Sequence, residues 1–355
     1  MKIHLFTFNF NMKNFLLKIS ITFIIVCLNV LLINYFGDAA NLFSKSYESN
    51  IVKILKRSNV KNISNFDERI FQRKFIYSSE IKPDVVAIGS SRVLKISSDL
   101  FKDQVFINNG VSGASMEDLI AIFQMYKAKR SMPSRIILGV DPWIFNKYSG
   151  QNRWQSIEKE YNKYYSALES KKELSFINSK YGQLLSPSYF QASLKKIIKG
   201  DSYTAPLATS NENNETSTIL KDGSRTDSRV IQEITNSQVM FKARSYIEGD
   251  LYSLENYDII SIEIFEEFKS FCSDILDSNI ELSFFLSPYH PLVYQKIKDD
   301  YNIVLDVEKK IIEFADDKNI KLIGSFSPLK AGLTSEDFND GMHLKKSAIK
   351  LLDFN

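Results

Sequence analysis

The apolar positions of the chain follow two patterns, one continuous and one periodic. The continuous pattern is N-terminal: residues 19–36, ISITFIIVCLNVLLINYF, carry no charge, and residues 15–17 extend the run past Lys18. Because about 20 apolar helical residues cross the hydrocarbon core of a bilayer, this segment predicts a transmembrane helix. Lys2 and Lys13 precede it without any acidic residue, so the positive-inside rule predicts a cytoplasmic N-terminus.

A cleaved signal peptide is the alternative interpretation of this segment, since Gly37, Asp38 and Ala39 lie at a suitable offset for cleavage. Signal peptides have apolar cores of roughly 7–15 residues, and the run here is longer. We therefore expect a retained single-pass helix. The main domain would then lie outside the cytoplasm, in the periplasm or the extracellular space.

From residue 84 onward, short apolar runs alternate with segments of helical periodicity. Strands are predicted at residues 84–88, 104–107, 134–140, 282–286 and 320–323, and helices at 116–126, 264–275, 304–314 and 345–354. This alternation predicts an α/β fold whose parallel sheet is covered on both faces by helices. In an open sheet of this kind, ligands bind beyond the carboxyl ends of the strands.

Several segments lie outside this rhythm. Residues 146–254 contain helical pieces and the polar run ATSNENNETST at 208–218, which predicts a flexible loop. The predicted regions are a cytoplasmic N-terminus (1–14), a transmembrane helix (15–36), a partly helical stalk that lifts the domain off the membrane (37–80), a core (81–145 and 255–355) and a largely helical insertion (146–254).

Composition narrows the classes of function. The formal charge is only +3, from 45 basic and 42 acidic residues, so no basic face for nucleic acid is expected. Cys27 and Cys272 are the two cysteines, which excludes a disulfide framework in the soluble part. The three histidines, His4, His290 and His343, are far apart and have no metal-ligand spacing. We expect neither a metal site nor a cofactor.

Two short motifs carry candidate chemistry. The first strand ends on Gly89-Ser90-Ser91, and a segment near the C-terminus places Asp340 three residues before His343. A serine hydroxyl becomes a nucleophile when a base takes its proton and a third group orients that base. Taken alone, the serines are typical of a helix-capping turn, and the D-x-x-H pattern is typical of a capping Asp beside a surface His.

Together and in this order, the motifs resemble the SGNH, or GDSL, hydrolase superfamily. The resemblance implies Ser91 as nucleophile, His343 as base and Asp340 as the group that orients it. Residues 108–115, NNGVSGAS, resemble the second block of the family. That block implies an oxyanion hole formed by the backbone N–H groups of Ser91 and Gly113, and the family fold implied is a flavodoxin-like three-layer αβα sandwich.

One departure from the family pattern lies at Asp141, where the third block normally supplies an asparagine amide to the oxyanion. An ionised carboxylate cannot donate that hydrogen bond, and removing one donor typically costs about 10²–10³ in rate. Three interpretations of Asp141 stay open: its side chain is turned away from the oxyanion, its carboxyl is protonated, or backbone N–H groups alone form the oxyanion hole. An Asx-turn that leads into Pro142 and Trp143 is the favoured interpretation.

A second departure is Arg92, which follows the candidate nucleophile in place of an apolar residue. Arg92 either binds an anionic group of a substrate or pairs with an acidic neighbour. The candidates for substrate contact at the rim are Arg92, Asp141, Trp143, Tyr289 and His290. For His290, a structural turn fixed by the flanking prolines is the stronger alternative.

The resemblance implies a membrane-anchored serine esterase or O-acyltransferase that acts on acyl esters of a cell-surface polysaccharide. It extends more loosely to proteins of exopolysaccharide acetylation and to the D-alanine transfer protein of teichoic acid synthesis. The implied partners are the membrane, an acylated envelope glycan and a membrane-bound acyltransferase. The alternative is a catalytically inactive component of a surface-polysaccharide assembly that has kept the fold. Hydrolysis and transfer both stay open.

Overall fold

The protein is described by a computed structural model that covers residues 12–38, 46–63, 65–167, 183–200 and 205–354. These residues form two compact units. One unit contains the first and sixth helices below, and the other contains the remaining elements. The helices are α1 (Met12–Gly37), α2 (Tyr47–Leu55), α3 (Glu68–Ser78), α4 (Met116–Lys129), α5 (Glu158–Ala167), α6 (Pro187–Lys199), α7 (Arg229–Gln232), α8 (Asn236–Ile247), α9 (Ile262–Asp277), α10 (Pro291–Asp300), α11 (Ile303–Lys318) and α12 (Lys346–Ile349).

The described strands form two sheets. They are β1 (Asn59–Lys61), β2 (Val85–Ile88), β3 (Phe106–Asn108), β4 (Arg135–Gly139), β5 (Leu207–Thr209), β6 (Thr218–Ile219), β7 (Arg225–Thr226), β8 (Glu281–Leu286) and β9 (Lys321–Gly324). The larger sheet has five parallel strands in the order β3-β2-β4-β8-β9. The smaller sheet has four antiparallel strands in the order β5-β1-β6-β7.

The five-stranded sheet confirms the predicted α/β class with a parallel sheet. Its central strands β2 and β4 are buried along their whole length, as expected of strands covered on both faces. The predicted strands match the observed ones to within two residues at each end. The last predicted helix is shorter than expected, since α12 spans only Lys346–Ile349, and α10 was not predicted.

The polar run at residues 208–218 is not a loop throughout, contrary to the prediction. β5 overlaps its start and β6 its end, and Val60 of β1 lies opposite both Ala208 and Ile219. Between the two strands, Asn214 Nδ2 donates to Thr218 Oγ1 at 2.9 Å. Asn and Thr side chains bond nearby polar groups readily, so a run that looks flexible from its composition is ordered by local hydrogen bonds and strand pairing.

The segment predicted as a stalk contributes to the same unit as the parallel sheet. Its helix α3 buries Phe71, Phe75 and Ile76, and Arg69 forms a buried ion pair with Asp118 of α4 at 2.8 Å. The spacing of these apolar residues gives α3 one face that must be covered. α3 is therefore packed onto the core.

The Arg69–Asp118 pair allows this packing to be tested. Replacing Asp118 by Asn should lower the free energy of unfolding by about 3–5 kcal/mol, because Arg69 would keep a buried charge without its counter-charge. Chemical unfolding of the full-length protein in detergent measures the loss. Asp274→Asn is the matched control: it breaks the exposed Lys127–Asp274 pair and should cost about 1 kcal/mol or less. Equal small losses would show that α3 does not depend on the core.

Helix α1 has the properties expected of a membrane span. It is 26 residues long, and its most apolar window of 18 residues has a mean hydropathy of 2.6 with none of that window buried. It is thus long and apolar enough to cross a membrane. Two polar side chains within the apolar run are satisfied inside the helix, since Thr22 Oγ1 and Asn29 Nδ2 donate to the carbonyl oxygens of Lys18 and Ile25 at 2.9 and 2.8 Å. Such satisfaction within the helix is what a hydrocarbon environment requires.

Candidate active site

The turn after β2 separates the roles of its two serines. Ser90 is fully buried, and its hydroxyl accepts the N–H of Arg92 at 3.1 Å, which caps a short 3₁₀ helix at Ser91–Val93. Ser91 is partly exposed, and its hydroxyl contacts the His343 ring instead of capping the helix. Gly89 allows the turn because a Cβ there would lie 2.7 Å from Val93 Cγ1 and 3.0 Å from Gly139 Cα. Ser90 is therefore the capping residue, and Ser91 is the serine available for chemistry.

Ser91, His343 and Asp340 are connected by hydrogen bonds in the order of a catalytic triad. Ser91 Oγ lies 3.0 Å from His343 Nε2, and His343 Nδ1 lies 2.9 Å from Asp340 Oδ2. Both distances are within hydrogen-bond range. The serine and the histidine are 252 positions apart in sequence, so this contact is made by the fold. The arrangement places a base on the hydroxyl and a carboxylate on the far side of the base.

Asp340 is held ionised by its surroundings. Burial alone would raise the pKa of this carboxyl, but the hydrogen bond and charge of His343 and the N–H groups of Met342 and His343 lower the pKa to about 2. The turn that carries both residues is closed by a bridge between Phe338 and Leu344. A carboxylate fixed in this way favours the tautomer of His343 with its proton on Nδ1, which leaves Nε2 free to accept from Ser91.

The glycine turn after β3 lies beside the serine turn. The N–H of Val111 donates to the carbonyl oxygen of Gly89 at 2.9 Å, which pairs these two residues. Ser91 lies two residues after Gly89, and Gly113 lies two residues after Val111. Gly113 has a φ of +56°, a conformation that favours glycine. Within the described residues, neither the Ser91 N–H nor the Gly113 N–H donates a hydrogen bond, so both donors are available to an oxyanion.

Helix α3 holds this glycine turn in place, a role that sequence reasoning missed. Glu68 accepts hydrogen bonds from the N–H and the hydroxyl of Ser112, while Arg69 Nη2 donates to the carbonyl oxygens of Ser112 and Gly113 at 3.1 and 3.3 Å. Burial alone would raise the pKa of Glu68, but the charge of Arg225 and the Ser112 N–H lower it. Adjacent acidic and basic residues at the start of a helix were the signal available in the sequence.

The two residues that depart from the family pattern form an ion pair with each other. Arg92 Nη1 donates to Asp141 Oδ1 at 2.9 Å, and both side chains are buried. Arg92 Nη2 also donates to the carbonyl oxygens of Ser287 and Pro288, and its guanidinium lies 4.1 Å from the centre of the Tyr289 ring. Asp141 makes no cap hydrogen bond to the 3₁₀ helix that follows, so the favoured Asx-turn is wrong.

All five candidates for substrate contact are buried. The exposed fractions of Arg92, Asp141, Trp143, Tyr289 and His290 are at most 4%. They form hydrogen bonds or ring contacts with the protein: the indole N–H of Trp143 donates to the carbonyl oxygen of Ala114 at 3.1 Å, and His290 Nδ1 caps α10 by accepting the N–H of Leu292 at 3.2 Å. For His290 the structural alternative matches the geometry. The structure thus places these residues beneath the site, not at its rim.

The rim next to Gly113 is formed by residues of the predicted insertion. A Cβ on Gly113 would collide with Arg153 Nη2 and Tyr252 Oη. Arg153 is exposed, and its hydrogen bonds in the described part of the chain go to two neutral groups, Gln151 Oε1 at 3.2 Å and Tyr252 Oη at 3.0 Å. No motif in the sequence marks these residues, because their position depends on how the insertion packs.

Over the described ranges, no group of three or more His, Cys, Asp or Glu side chains is arranged to hold a metal ion.

No protein-family model matches the chain, and a search of curated proteins gives no match.

The ion pair beneath the site should show strong energetic coupling. Arg92→Met and Asp141→Asn should each destabilise the protein by about 3–5 kcal/mol. Arg92→Met leaves the buried charge of Asp141 without its partner, and Asp141→Asn leaves that of Arg92 without its partner. The double variant should lose about 1–3 kcal/mol less than the sum of the single losses. Chemical unfolding of the four proteins in detergent provides the cycle.

A second cycle serves as the control. Arg92→Met combined with Asp274→Asn, which changes a partly exposed carboxylate outside the site, should be additive to within about 0.5 kcal/mol. If the Arg92 and Asp141 variants were additive to the same degree, the two residues would not be energetically coupled.

Proposed function

We propose that this protein is a membrane-anchored serine esterase or O-acyltransferase of the SGNH type. The observation that carries the proposal is the hydrogen-bonded series Ser91–His343–Asp340, with distances of 3.0 and 2.9 Å between successive groups. It lies beyond the carboxyl ends of parallel strands, where open α/β sheets bind their ligands. A serine, a histidine and an ionised carboxylate in this geometry are suited to acyl transfer.

In the proposed reaction, Ser91 Oγ attacks the carbonyl carbon of an ester while His343 Nε2 accepts the hydroxyl proton. Asp340 stabilises the imidazolium that forms. The N–H groups of Ser91 and Gly113 bind the oxyanion, and His343 returns the proton to the departing alkoxide. Water or a sugar hydroxyl then attacks the acyl-enzyme, which gives hydrolysis or transfer and regenerates the serine.

The strand order supports the SGNH assignment. Numbered by their sequence order, the five parallel strands are arranged 2-1-3-4-5, which is the flavodoxin-like order of doubly wound sheets. Ser91 follows the first of these strands, Gly113 the second and Asp141 the third, as the family pattern requires. Asp141 lacks the amide of the usual asparagine, so the proposed oxyanion hole consists of two backbone donors.

The proposed substrate is an acyl ester of a cell-surface polysaccharide, with α1 as a transmembrane anchor and the catalytic domain outside the cytoplasm. A membrane-bound acyltransferase is the proposed partner. The substrate class rests on the family resemblance and on the topology proposed from the N-terminal lysines. Arg153 adds one feature of its own, because an exposed guanidinium beside Gly113 would bind a carboxylate or phosphate on the glycan.

A fluorophosphonate probe tests the nucleophile directly. The full-length protein should be labelled, and Ser91→Ala should abolish labelling because the attacking oxygen is gone. Ser90→Ala is the matched control, since it removes an adjacent hydroxyl whose observed role is to cap the 3₁₀ helix, and it should remain labelled. His343→Ala should lower kcat/KM for an activated ester by on the order of 10⁴-fold or more.

The same experiment decides the alternative, an inactive SGNH-fold component of a polysaccharide assembly. Labelling that is absent from the unmodified protein, or that persists in Ser91→Ala, would refute the enzymatic proposal. The strongest sequence argument for inactivity was a carboxylate at position 141. The pairing of Asp141 with Arg92 at 2.9 Å weakens that argument, because the neighbouring positive charge offsets the negative one.

Arg153 should determine preference for anionic substrates. On an acetylated uronate oligosaccharide, Arg153→Gln should raise KM by about 10- to 100-fold, the loss expected for a hydrogen bond to a charged group. With the neutral ester p-nitrophenyl acetate, KM and kcat should stay unchanged. Steady-state kinetics of deacetylation on both substrates measures the difference.

Arg229→Gln provides the control for this prediction. Arg229 is also exposed but is paired with Glu215 at 3.1 Å, so its replacement should leave both KM values unchanged. An equal rise in KM on both esters for Arg153→Gln would indicate a distorted site and would contradict a role in charge recognition.

A further inference from the structure

Helix α6 exposes its apolar side chains in a way that is unusual for a helix of a soluble domain. Phe190, Leu194, Ile197 and Ile198 recur at helical spacing and form one stripe. Leu194, Ile197 and Ile198 are 36%, 50% and 75% exposed. We call these four residues the α6 stripe.

A second face of α6, which carries Tyr189, Ser193 and Lys196, packs on the C-terminal end of α1. Ser193 contacts Gly37 so closely that a Cβ on the glycine would lie 2.7 Å from Ser193 Cβ. Tyr189 Oη donates to Asp38 Oδ1 at 2.8 Å, and Lys196 Nζ donates to the carbonyl oxygen of Asp38 at 2.9 Å. The inward face therefore fixes α6 at the end of α1 and leaves the apolar stripe outward.

If α1 spans a bilayer, the position of its C-terminal end gives the depth at which α6 contacts it. Residues 19–36 extend about 27 Å at 1.5 Å per residue, close to the roughly 30 Å thickness of the hydrocarbon core. The run ends with Tyr35 and Phe36, which are 51% and 74% exposed, and aromatic residues favour the membrane–water interface. Gly37 and Asp38 then lie at the level of the headgroups.

We propose that α6 is an interfacial helix that lies in the bilayer surface and inserts the α6 stripe between the headgroups and the upper acyl chains. A helix with an apolar stripe outward and a basic flank has the composition of such elements. Lys195, which is exposed beside the stripe, is positioned for an anionic headgroup. The α6 stripe would thus contact the same bilayer that α1 spans.

The inference rests on the proposed anchoring by α1, so the experiment reports on both helices. Single tryptophans are introduced at exposed positions of the full-length protein, which is then reconstituted into vesicles of phosphatidylcholine and phosphatidylglycerol. Its own Trp143 and Trp154 are buried, with 1% and 7% exposed, and give a common background. Quenching of fluorescence by phospholipid brominated near the headgroup end of the acyl chain reports contact with lipid.

Ile198→Trp should be quenched at least about two-fold above the background, as expected of an indole at the acyl boundary. Ala192→Trp is the matched control, because 3.6 residues per turn place it on the flank of α6 away from the stripe, and it should stay at the background level. Phe23→Trp, at a position of α1 that is 68% exposed, gives the response of a fully embedded residue.

The outcomes separate the two proposals. Quenching of Phe23→Trp without quenching of Ile198→Trp would overturn the interfacial role of α6 and leave its stripe as a surface for a protein partner. Equal quenching of Ile198→Trp and Ala192→Trp would also overturn it, since the stripe would then have no preference for lipid. Absence of quenching at both Phe23→Trp and Ile198→Trp would refute the anchoring itself.

Discussion

The hydrogen bond from the N–H of Val111 to the carbonyl oxygen of Gly89 aligns the ends of two parallel strands, and the site depends on that alignment. Ser91 and Gly113 follow the paired position by the same number of residues, so a hydroxyl and a glycine turn emerge side by side. The third strand end is held by the close approach of Gly89 and Gly139. A larger residue at either glycine would separate the strand ends and move the serine turn relative to the segment that carries His343.

The second constraint is electrostatic. A charge buried beneath a site is costly unless it is paired, and here Arg92 and Asp141 pair with each other. Either residue alone would be difficult to accommodate, since Arg92 would lack a counter-charge and Asp141 would oppose a developing oxyanion. Together they form a pair of no net charge that is fixed further by backbone carbonyl oxygens and the ring of Tyr289. Arg92 and Asp141 look like two independent departures from the SGNH pattern in the sequence. In the structure they form a single ion pair.

The sequence predicts the parallel sheet well, because buried strands are continuous apolar runs, as in β2 and β4. It also indicates Ser91, Asp340 and His343, because their motifs together resemble the SGNH pattern and because strand ends of a parallel sheet meet at one edge. It fails where the determining contact joins distant segments. The hydrogen bonds of α3 to the glycine turn produce no periodic pattern in the sequence. The pairing of residues 207–209 with β1 produces none either. Composition misassigned both segments, as a stalk and as a loop.

The hydrogen bonds of α3 to the glycine turn are relevant to the proposed oxyanion hole, which has only two donors. Glu68 and Arg69 hold the backbone on either side of the Ser112–Gly113 peptide bond, while Arg153 and Tyr252 fill the space where a side chain at Gly113 would project. A donor whose direction is set before the reaction costs no reorganisation when charge develops. The proposed hole lacks the asparagine amide of the SGNH pattern, and the fixed direction of the Gly113 N–H would offset part of that difference. The direction of one of the two proposed donors therefore depends on α3, through the hydrogen bonds of Arg69 to the carbonyl oxygens of Ser112 and Gly113.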